Sequence, residues 1–276
     1  MIVDSHQHFW DLARGANDWI TDDIWQIRRD YFPAHLGDYL KHLGIDKTIL
    51  VEASAETGEN TFMAAMAEKA EFVGGIVGWI DLDDAGAEAQ LQQMGDLDLF
   101  KGVRPAISLD PARPPVMSPK FVQNAKAIAA QGMAMDAMAH PHLLPFYTEL
   151  ASAIPDLRIV VDHCAKPVIG GGRDAGGDWR RDMAEIATRP NVYCKLSGIT
   201  QEYGTGWSRA ALQPVFDHVL THFGPNRIMW GSDWPVLEMT ASYTQWFDAM
   251  RGLIAGLSDA EQSEILGGTA CRFYRV

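Results

Sequence analysis

Short apolar segments rich in β-branched residues alternate with Ala-, Leu- and Met-rich helical segments along almost the whole chain. A strand that is followed by a helix before the next strand favours a parallel sheet with helices packed on it. Eight such units, roughly 25 to 45 residues apart, are typical of a (β/α)₈ barrel. The 276 residues therefore predict an α/β fold, a single-domain (β/α)₈ barrel of the TIM type over residues 1–276. A doubly wound open sheet is the alternative, but it has fewer units and a Gly-rich first turn, which this sequence lacks.

The predicted elements follow one another without a change in composition that would mark a second domain. The first strand begins at Ile2 and Val3, and later strands are predicted at 47–53, 72–80, 100–106, 133–138, 157–163, 191–197 and 227–233. Helices are predicted at 33–42, 60–71, 85–94, 118–131, 143–154, 179–188, 210–223, 240–254 and 258–266. The stretch from residue 9 to residue 46 is long for a connection, so we expect it to form a lid or a wall over the site.

Charge and composition exclude several classes of partner. The formal net charge of -13 argues against nucleic acid, whose phosphates require a basic protein face. The sequence has neither an apolar run long enough to cross a bilayer nor a basic-then-apolar leader, so no membrane partner is expected. Three widely spaced cysteines without a CxxC pair argue against a disulfide framework and favour the reducing cytoplasm. A monomer and a homo-oligomer both remain open.

Polar residues at the predicted carboxyl ends of the strands are the candidates for an active site, because barrels of this kind bind their substrates there. His6 and His8 are two residues apart in the first strand, so both imidazoles lie on one face and can turn to a single point. Asp233 ends the last strand, and His163 ends the sixth. Two His, a further His and an Asp match the ligands of one zinc-like divalent ion with an open position. The alternatives are strand-end side chains bonded to backbone, a turn-forming Asp233 and a core His163.

Four motifs of the sequence are distinctive: Asp-Ser-His-Gln-His-Phe-Trp at 4–10, Ile-Arg-Arg-Asp-Tyr-Phe-Pro at 27–33, Val-Asp-His-Cys-Ala-Lys-Pro at 161–167 and Gly-Ser-Asp-Trp-Pro-Val at 231–236. Together they resemble the amidohydrolase superfamily, and more narrowly its branch of L-fuconolactonase- and L-rhamnonolactonase-like metal-dependent hydrolases. The likeness runs from residue 2 to the C-terminus. It implies a TIM-type barrel with His6 and His8 at the metal position, Asp233 as ligand or general base, and His163 near the substrate carbonyl.

The sequence departs from the binuclear members of that superfamily, which carry a bridging carboxylated Lys at the end of strand four. Here Lys101 lies at the start of that strand, and Val103 and Arg104 lie at its end. The resemblance therefore implies one divalent metal ion, with zinc as the expected metal. Some members of this branch work without any metal, so a metal-free site is also open.

The resemblance implies a hydrolase that opens the ester ring of a small-molecule sugar lactone. Water would lose its proton to Asp233 and attack a carbonyl that is polarised by a metal ion or by His163. The alternatives are a metal-dependent decarboxylase or hydrolase of an aromatic or muconate-derived acid or lactone, and a barrel that binds a sugar acid without turnover.

Side chains near the predicted strand ends also suit a hydroxylated substrate. Trp rings can present flat apolar faces to a sugar, and Arg can donate a forked pair of hydrogen bonds to a carbonyl or a carboxylate. Core packing is the alternative for each Trp, a structural ion pair for Arg104, and a turn for His140. The expected substrate-binding residues are Arg104, Trp10, Trp79, Arg29, His140 and Trp234.

Overall fold

Eight parallel strands lie side by side in the order in which they follow in the sequence. The computed structural model describes residues 1–56 and 58–276. The strands are β1 (Val3–Gln7), β2 (Lys47–Val51), β3 (Val73–Ile80), β4 (Phe100–Pro105), β5 (Ala134–Ala137), β6 (Ile159–Val161), β7 (Val192–Leu196) and β8 (Ile228–Trp230). The predicted (β/α)₈ barrel is confirmed, because helices separate successive strands and the sheet curls until β8 lies beside β1.

Helices surround the ring of strands. They are α1 (Pro33–Leu43), α2 (Glu59–Ala67), α3 (Ala87–Gly95), α4 (Pro119–Ala130), α5 (Leu144–Ala153), α6 (Gly177–Ala187), α7 (Ile199–Tyr203), α8 (Arg209–Phe223), α9 (Tyr243–Ile254), α10 (Asp259–Ser263) and α11 (Thr269–Tyr274). Four of them begin after a serine whose hydroxyl accepts a backbone N–H three residues on, which satisfies one of the unpaired donors of a helix start; the serines are Ser118, Ser208, Ser242 and Ser258. No helix of the described residues combines the length and apolar character needed to cross a membrane.

The hydrophobic core has two parts. The larger part lies between the sheet and the helices, and a smaller cluster inside the ring joins apolar side chains from six different strands. Phe273 and Tyr274 of α11 belong to the inner cluster, so the last helix closes the amino-terminal end of the barrel. The carboxyl ends of the strands are left for function, as in other barrels of this type.

Several predicted elements end earlier than expected. The sixth and eighth strands were predicted to reach residues 163 and 233, but pairing stops at Val161 and Trp230 and the following residues turn out of the sheet. The helix predicted at 258–266 is instead α10, a wider helical turn at Glu264–Gly268, and α11. Gly267 lies in that wider turn, and a Cβ there would lie 2.2 Å from the backbone oxygen of Met1. The wider turn therefore has room at this position only for glycine.

Candidate active site

A cleft of about 300 Å³ opens at the carboxyl ends of the strands. Its lining includes His8, Arg104, His163, Lys166 and Asp233, together with the apolar side chains of Trp19, Met138 and Val236. A hollow of about 390 Å³ between α2 and α3 is larger, but the described residues that line it include no titratable group. Four of the predicted site residues, His8, Arg104, His163 and Asp233, meet in the cleft, at the position that the barrel architecture favours.

Closure of the barrel brings the first and last motifs together. The backbone N–H of Asp233 donates to the oxygen of His6, and the N–H of His8 donates to the oxygen of Trp234, each at 2.8 Å. Gly231 permits this approach, since a Cβ there would lie 2.9 Å from the Cβ of His6. Residues more than two hundred positions apart thus share one wall of the cleft because the ring of strands closes between them.

Asp4 fastens this closure from below. Its buried carboxylate accepts hydrogen bonds from the backbone N–H and the hydroxyl of Ser232, at 2.7 and 2.6 Å. The hydroxyl of Tyr243 on α9 adds a third at 2.7 Å. Burial raises the pKa of Asp4, although each of these donors opposes the shift. Asp4 therefore joins β1, the turn after β8 and the outer helix α9 beneath the catalytic candidates.

His163 reaches the cleft because the chain makes a left-handed turn after β6. The φ angles of His163, Cys164, Ala165 and Lys166 are 52, 51, 58 and 49°, and each such residue costs about 1–2 kcal/mol when it is not glycine. Gly198 packs under the imidazole, where a Cβ would lie 2.6 Å from Nδ1. Backbone strain of this kind is concentrated at functional sites, where the surroundings hold it in place.

Three imidazoles converge on one carboxylate oxygen. Oδ1 of Asp233 lies 3.3 Å from Nε2 of His8, 3.7 Å from Nε2 of His6 and 3.8 Å from Nε2 of His163. The Nε2 atoms of His6 and His8 are 3.2 Å apart. In a tetrahedral zinc site with ligand bonds of about 2.0–2.1 Å, the ligand atoms lie about 3.3–3.4 Å from one another. The set of His6, His8 and Asp233 therefore has the spacing and the chemistry of a divalent metal site.

The hydrogen bonds behind the imidazoles also fit a cation. Nδ1 of His8 donates to the backbone oxygen of Val51 at 2.9 Å, so its Nε2 presents a lone pair toward Asp233. Nδ1 of His6 lies 3.4 Å from Oδ1 of Asp162, a buried oxygen that has no hydrogen-bond partner among the described residues. A proton on Nδ1 of His6 would satisfy that oxygen and free Nε2 to bind an ion, the usual support behind a metal-binding His.

A second arrangement is available to His6. Lys195 lies behind the imidazole with its Nζ 3.1 Å from Nδ1, and an ammonium can only donate. The proton of a neutral His6 would then lie on Nε2 and point at His8. Burial, followed by the charge of Lys195, lowers the pKa of His6 well below its ordinary value, so the ring is neutral in either arrangement.

Lys195 belongs to a network of charges inside the barrel. Its buried Nζ donates to Asp136 and lies 3.2 Å from Oδ1 of Asp162. The hydroxyl of Tyr274 donates to Asp136 from the opposite end, at 2.8 Å. Burial alone would raise the pKa of Asp162, but Lys195, His6 and Arg104 hold it well below its usual range. A charged, hydrogen-bonded layer therefore supports the imidazoles from beneath.

Arg104 is fixed by acidic partners. Its Nε and Nη2 donate to the side chain and the backbone oxygen of Glu52, both at 2.5 Å, and its Nη1 donates to Asp162 at 3.3 Å. Burial would lower the pKa of Arg104, but Glu52 and Asp162 raise it above its ordinary value. Three of the five guanidinium protons are used in this way, which leaves two for a substrate.

Asp233 is oriented from its other oxygen. The amide nitrogen of Gln201 donates to Oδ2 at 2.9 Å, and the hydroxyl of Thr200 donates to the Gln201 oxygen at 2.6 Å. Thr240 donates to Thr200 in turn, at 3.1 Å. These hydrogen bonds hold Oδ2, so that Oδ1 of Asp233 faces the imidazoles. Burial would raise the pKa of Asp233, but His163, His8 and His6 lower it below its usual range, so it is an anion at neutral pH.

The structure brings some of the predicted site residues together and places others elsewhere. His8, Arg104, His163 and Asp233 line the cleft, and His6 lies directly behind them. Trp10, Arg29 and Trp234 instead surround the loop after β8: the indole of Trp10 donates to the Arg29 backbone oxygen, while Trp234 and Arg29 both donate to Glu238.

Two other predicted contacts lie outside the cleft lining. Trp79 is half-buried on β3 and is held through its backbone by Asn60. His140 is half-buried beside His142, with ring centroids 6.0 Å apart. A role in substrate binding stays a prediction for all five of these outlying residues, which are Trp10, Arg29, Trp79, His140 and Trp234.

Three residues at the site, Gln201, Trp19 and Lys166, are not predicted from the sequence. Gln201 had no signal, since an amide after a strand is common in any loop. Trp19 donates its indole N–H to the backbone oxygen of Ala53 at 2.8 Å and lines the cleft. It belongs to the stretch 9–46, which was expected to form a lid or a wall over the site. Lys166 was available within the motif at 161–167, three residues after His163.

Comparison with known proteins identifies the family. A family model described as Amidohydrolase matches residues 3–276. An L-fucono-1,5-lactonase of Burkholderia ambifaria is 33% identical over 284 residues, which cover 99% of this chain and 95% of that protein. The L-fucono-1,5-lactonase of Burkholderia multivorans is 30% identical over 286 residues, which cover 99% and 96%. A crystal structure of an amidohydrolase from Burkholderia multivorans with bound zinc matches with a TM-score of 0.93 at 29% identity, covering 100% of this chain and 99% of that one. The resemblance drawn from the motifs is thereby confirmed, and the chain belongs to the amidohydrolase family.

Proposed function

We propose that this protein is a hydrolase that opens the ester ring of a sugar lactone. The observation that carries the proposal is the convergence of three imidazoles on Oδ1 of Asp233 at the base of a cleft. The full-length similarity to two L-fucono-1,5-lactonases supports a lactone as the substrate. A cyclic ester also requires less rate acceleration from the site than an amide does, because its carbonyl is more reactive.

Asp233 is the general base in the mechanism that we propose. Its anionic Oδ1 accepts a proton from a water molecule, and the oxygen of that water attacks the lactone carbonyl while Gln201 holds Oδ2 in place. A positioned base of this kind contributes about 10²- to 10⁴-fold to the rate. The proton taken up by Asp233 then passes to the ring oxygen as the ester bond breaks.

His163 faces the carbonyl oxygen in this mechanism. Burial lowers its pKa to about 4, so the imidazole is neutral at physiological pH. When the hydroxyl of Ser197, 2.8 Å away, donates to Nδ1, the imidazole proton lies on Nε2. From there it can donate to the oxygen on which negative charge develops, the type of stabilisation that is worth most in a site shielded from water.

The spacing of His6, His8 and Asp233 makes them the residues that would hold a divalent ion, and zinc is the metal that the donor types and the zinc-bound relative favour. Such an ion would polarise the carbonyl and lower the pKa of a nearby water to about 7. Lactone opening depends less on that contribution than amide hydrolysis would, because the general base alone lowers the barrier by about 3–5 kcal/mol.

The charges around the cleft favour a neutral substrate over an anionic one. Carboxylates outnumber the cations by two among the groups at or beside the cleft, which are Glu52, Asp162, Glu202, Asp233, Arg104 and Lys166. A bound divalent ion would bring the total to zero. A neutral sugar lactone therefore enters without repulsion, whereas an aromatic or muconate-derived diacid would find no surplus of positive charge.

The test is a screen of aldonolactones with a pH indicator, run with and without chelator, against aromatic acids assayed for carbon dioxide release. We expect turnover of at least one aldonolactone, and a fall in kcat/KM of about 10²-fold or more in Asp233→Asn, the loss of a general base. His6→Ala should also sharply reduce turnover without unfolding the barrel.

Exposed residues of the same types provide the controls. Asp248→Asn on α9 and His42→Ala on α1 change side chains that are solvent-exposed, and both variants should retain wild-type rates. Near-normal hydrolysis by Asp233→Asn, or carbon dioxide release from an aromatic acid in place of lactone opening, would contradict the proposed function.

A further inference from the structure

Lys166 reaches the active-site cleft through the strained turn that also presents His163. The two residues are the first and the last of four consecutive left-handed positions, and the Lys166 N–H donates to the His163 backbone oxygen at 2.9 Å. Both side chains line the cleft. A right-handed backbone at these four positions would not carry this strain. Because such strain persists mainly at functional sites, the turn points to a function for Lys166 as well as for His163.

The Lys166 ammonium has no hydrogen-bond acceptor among the described residues. The nearest carboxylate is Oε1 of Glu202, 3.8 Å away, and that distance is too long for a direct hydrogen bond. Both side chains are about one-quarter exposed, at 26% each. Three donor protons and an acceptor carboxylate thus lie side by side with their hydrogen-bonding capacity unspent.

Glu202 is tied to the catalytic apparatus by its position in the chain. It lies on α7 directly after Gln201, whose amide holds Asp233. Burial raises the pKa of Glu202, and the charges of Lys166 and Asp233 act on it in opposite directions. The pair is therefore beside the reacting groups and on the same short helix that orients the base.

The spacing of the pair fits a hydroxyl group. A hydroxyl oxygen can lie about 2.8 Å from both Nζ of Lys166 and Oε1 of Glu202, because the two atoms are 3.8 Å apart. Such a hydroxyl would accept from the ammonium and donate to the carboxylate, and thereby use both of its capacities. A carboxylate on the substrate would meet repulsion from Glu202, and an unsubstituted ring would leave both groups unpaired.

Building on the proposed function, we propose that Lys166 and Glu202 form the subsite for a ring hydroxyl of the lactone. The pair determines specificity: it selects a neutral, hydroxylated lactone over an unsubstituted or an anionic one. A site that is built to hydrogen-bond a substrate hydroxyl discriminates against an analogue that lacks it, since the bare ring displaces water from both polar groups without replacing its hydrogen bonds.

The experiment compares two lactones in the wild type, Lys166→Met and Glu202→Gln. One is the aldonolactone that is turned over best, with L-fucono-1,5-lactone as the first candidate; the other is δ-valerolactone, the same six-membered ring without hydroxyls. We expect the ratio of the two kcat/KM values to fall by about ten- to a hundredfold in Lys166→Met, the value of a hydrogen bond to a charged group. Lys166→Arg should retain part of the ratio, and the exposed Lys126→Met serves as control.

Two kinetic outcomes would overturn the subsite. If Lys166→Met lowers kcat/KM equally for both lactones, Lys166 acts at the carbonyl that they share. If the ratio stays at the wild-type value in both variants, neither residue touches a hydroxyl.

A binding measurement keeps the subsite separate from the proposed activity. L-fucono-1,5-lactam and δ-valerolactam, which resist hydrolysis, are titrated calorimetrically into the wild type and Lys166→Met. Weaker binding of only the hydroxylated lactam by the variant supports the subsite, even if the wild type opens no lactone and the proposed function fails. Equal affinity of both proteins for the hydroxylated lactam, or no binding to the wild type, contradicts it.

Discussion

Replacing Lys195 by Met removes an ammonium from the buried layer beneath the imidazoles. Nζ of Lys195 contacts Asp136, Asp162 and His6, and the lysine and both carboxylates are fully buried. Methionine fills a similar volume, so the change tests the charge and not the packing. Breaking a buried ion pair by removing one partner costs about 3–5 kcal/mol, because the other charge is left without compensation.

Protonation of Asp136 sets the pH dependence of that loss. Burial already raises the pKa of Asp136, with the charge of Lys195 opposing the shift, so the variant should raise this pKa further. A carboxyl with a raised pKa contributes stability that is present at low pH and lost as the pH rises through the folded pKa. Lys195→Met should therefore be least destabilised near pH 5 and reach the full loss of about 3–5 kcal/mol near pH 8.

Urea unfolding at both pH values measures these free energies, with Lys126→Met as the exposed control. A double-mutant cycle with Asp136→Asn isolates the pair: the double variant should be more stable than the sum of the single losses predicts, by about 0.5–3 kcal/mol. A loss below about 1 kcal/mol at pH 8, or additive losses in the cycle, would refute a stabilising charge pair inside the barrel.

Three further predictions concern the supports of the catalytic groups. Gly198→Ala should lower kcat/KM at least tenfold, since its Cβ would lie 2.6 Å from Nδ1 of His163; Gly206→Ala, at a similarly positive φ but with no heavy atom within 4 Å, should lower stability alone. Burial lowers the pKa of His163 from 6.5 to about 4. The contribution of the neutral imidazole to the free energy of unfolding is therefore complete above pH 6.5 and is lost as the pH falls toward 4. Denaturant titrations should show this loss, about 3 kcal/mol, in the wild type but not in His163→Asn. Thr200→Val frees the Gln201 amide to rotate, so kcat should fall about three- to tenfold with little change in KM, the outcome for an interaction made in the transition state.

The fold and the principal catalytic candidates could be predicted because their signals are local. Alternation of strands and helices is visible within about 30 residues, and eight repeats of that pattern admit few architectures. Strand ends in such a fold meet at one edge, so His6, His8, His163 and Asp233 could be placed together before any distance was known. The predicted convergence is present in the structure as contacts of 3.3–3.8 Å around Asp233.

The direction of each side chain at the strand ends could not be predicted from the sequence. The strand-end rule selects an end of the barrel, but it does not say which side chains there turn inward. Trp10 and Trp234 lie near strand ends, yet their indole N–H groups donate to Arg29 and Glu238 around the loop after β8. Lys166 does line the cleft because of a left-handed turn, and no local propensity predicts four such residues without glycine.

The buried ion pair of Asp136 and Lys195 is harder to predict from the sequence. Asp136 and Lys195 interrupt strands that are otherwise apolar, and a charge within a buried strand requires a partner. The sequence offered one acidic and one basic interruption, on strands five and seven, but pairing them depends on both side chains pointing into the ring. In the structure they meet there as an ion pair, and burial without a partner would have been far less favourable than burial together.

The position of His6 explains how one set of side chains suits catalysis with an ion or without one. If Lys195 donates to Nδ1, Nε2 carries the proton toward His8, and Oδ1 of Asp162 is left without a hydrogen bond. If the proton moves to Nδ1, that oxygen gains a donor and three lone-pair atoms of His6, His8 and Asp233 face one point. The second state is favourable only when a cation occupies that point, because the lone pairs otherwise repel one another. Asp233 stays an anion held by Gln201 in both states, so the base on which lactone opening depends is retained in each.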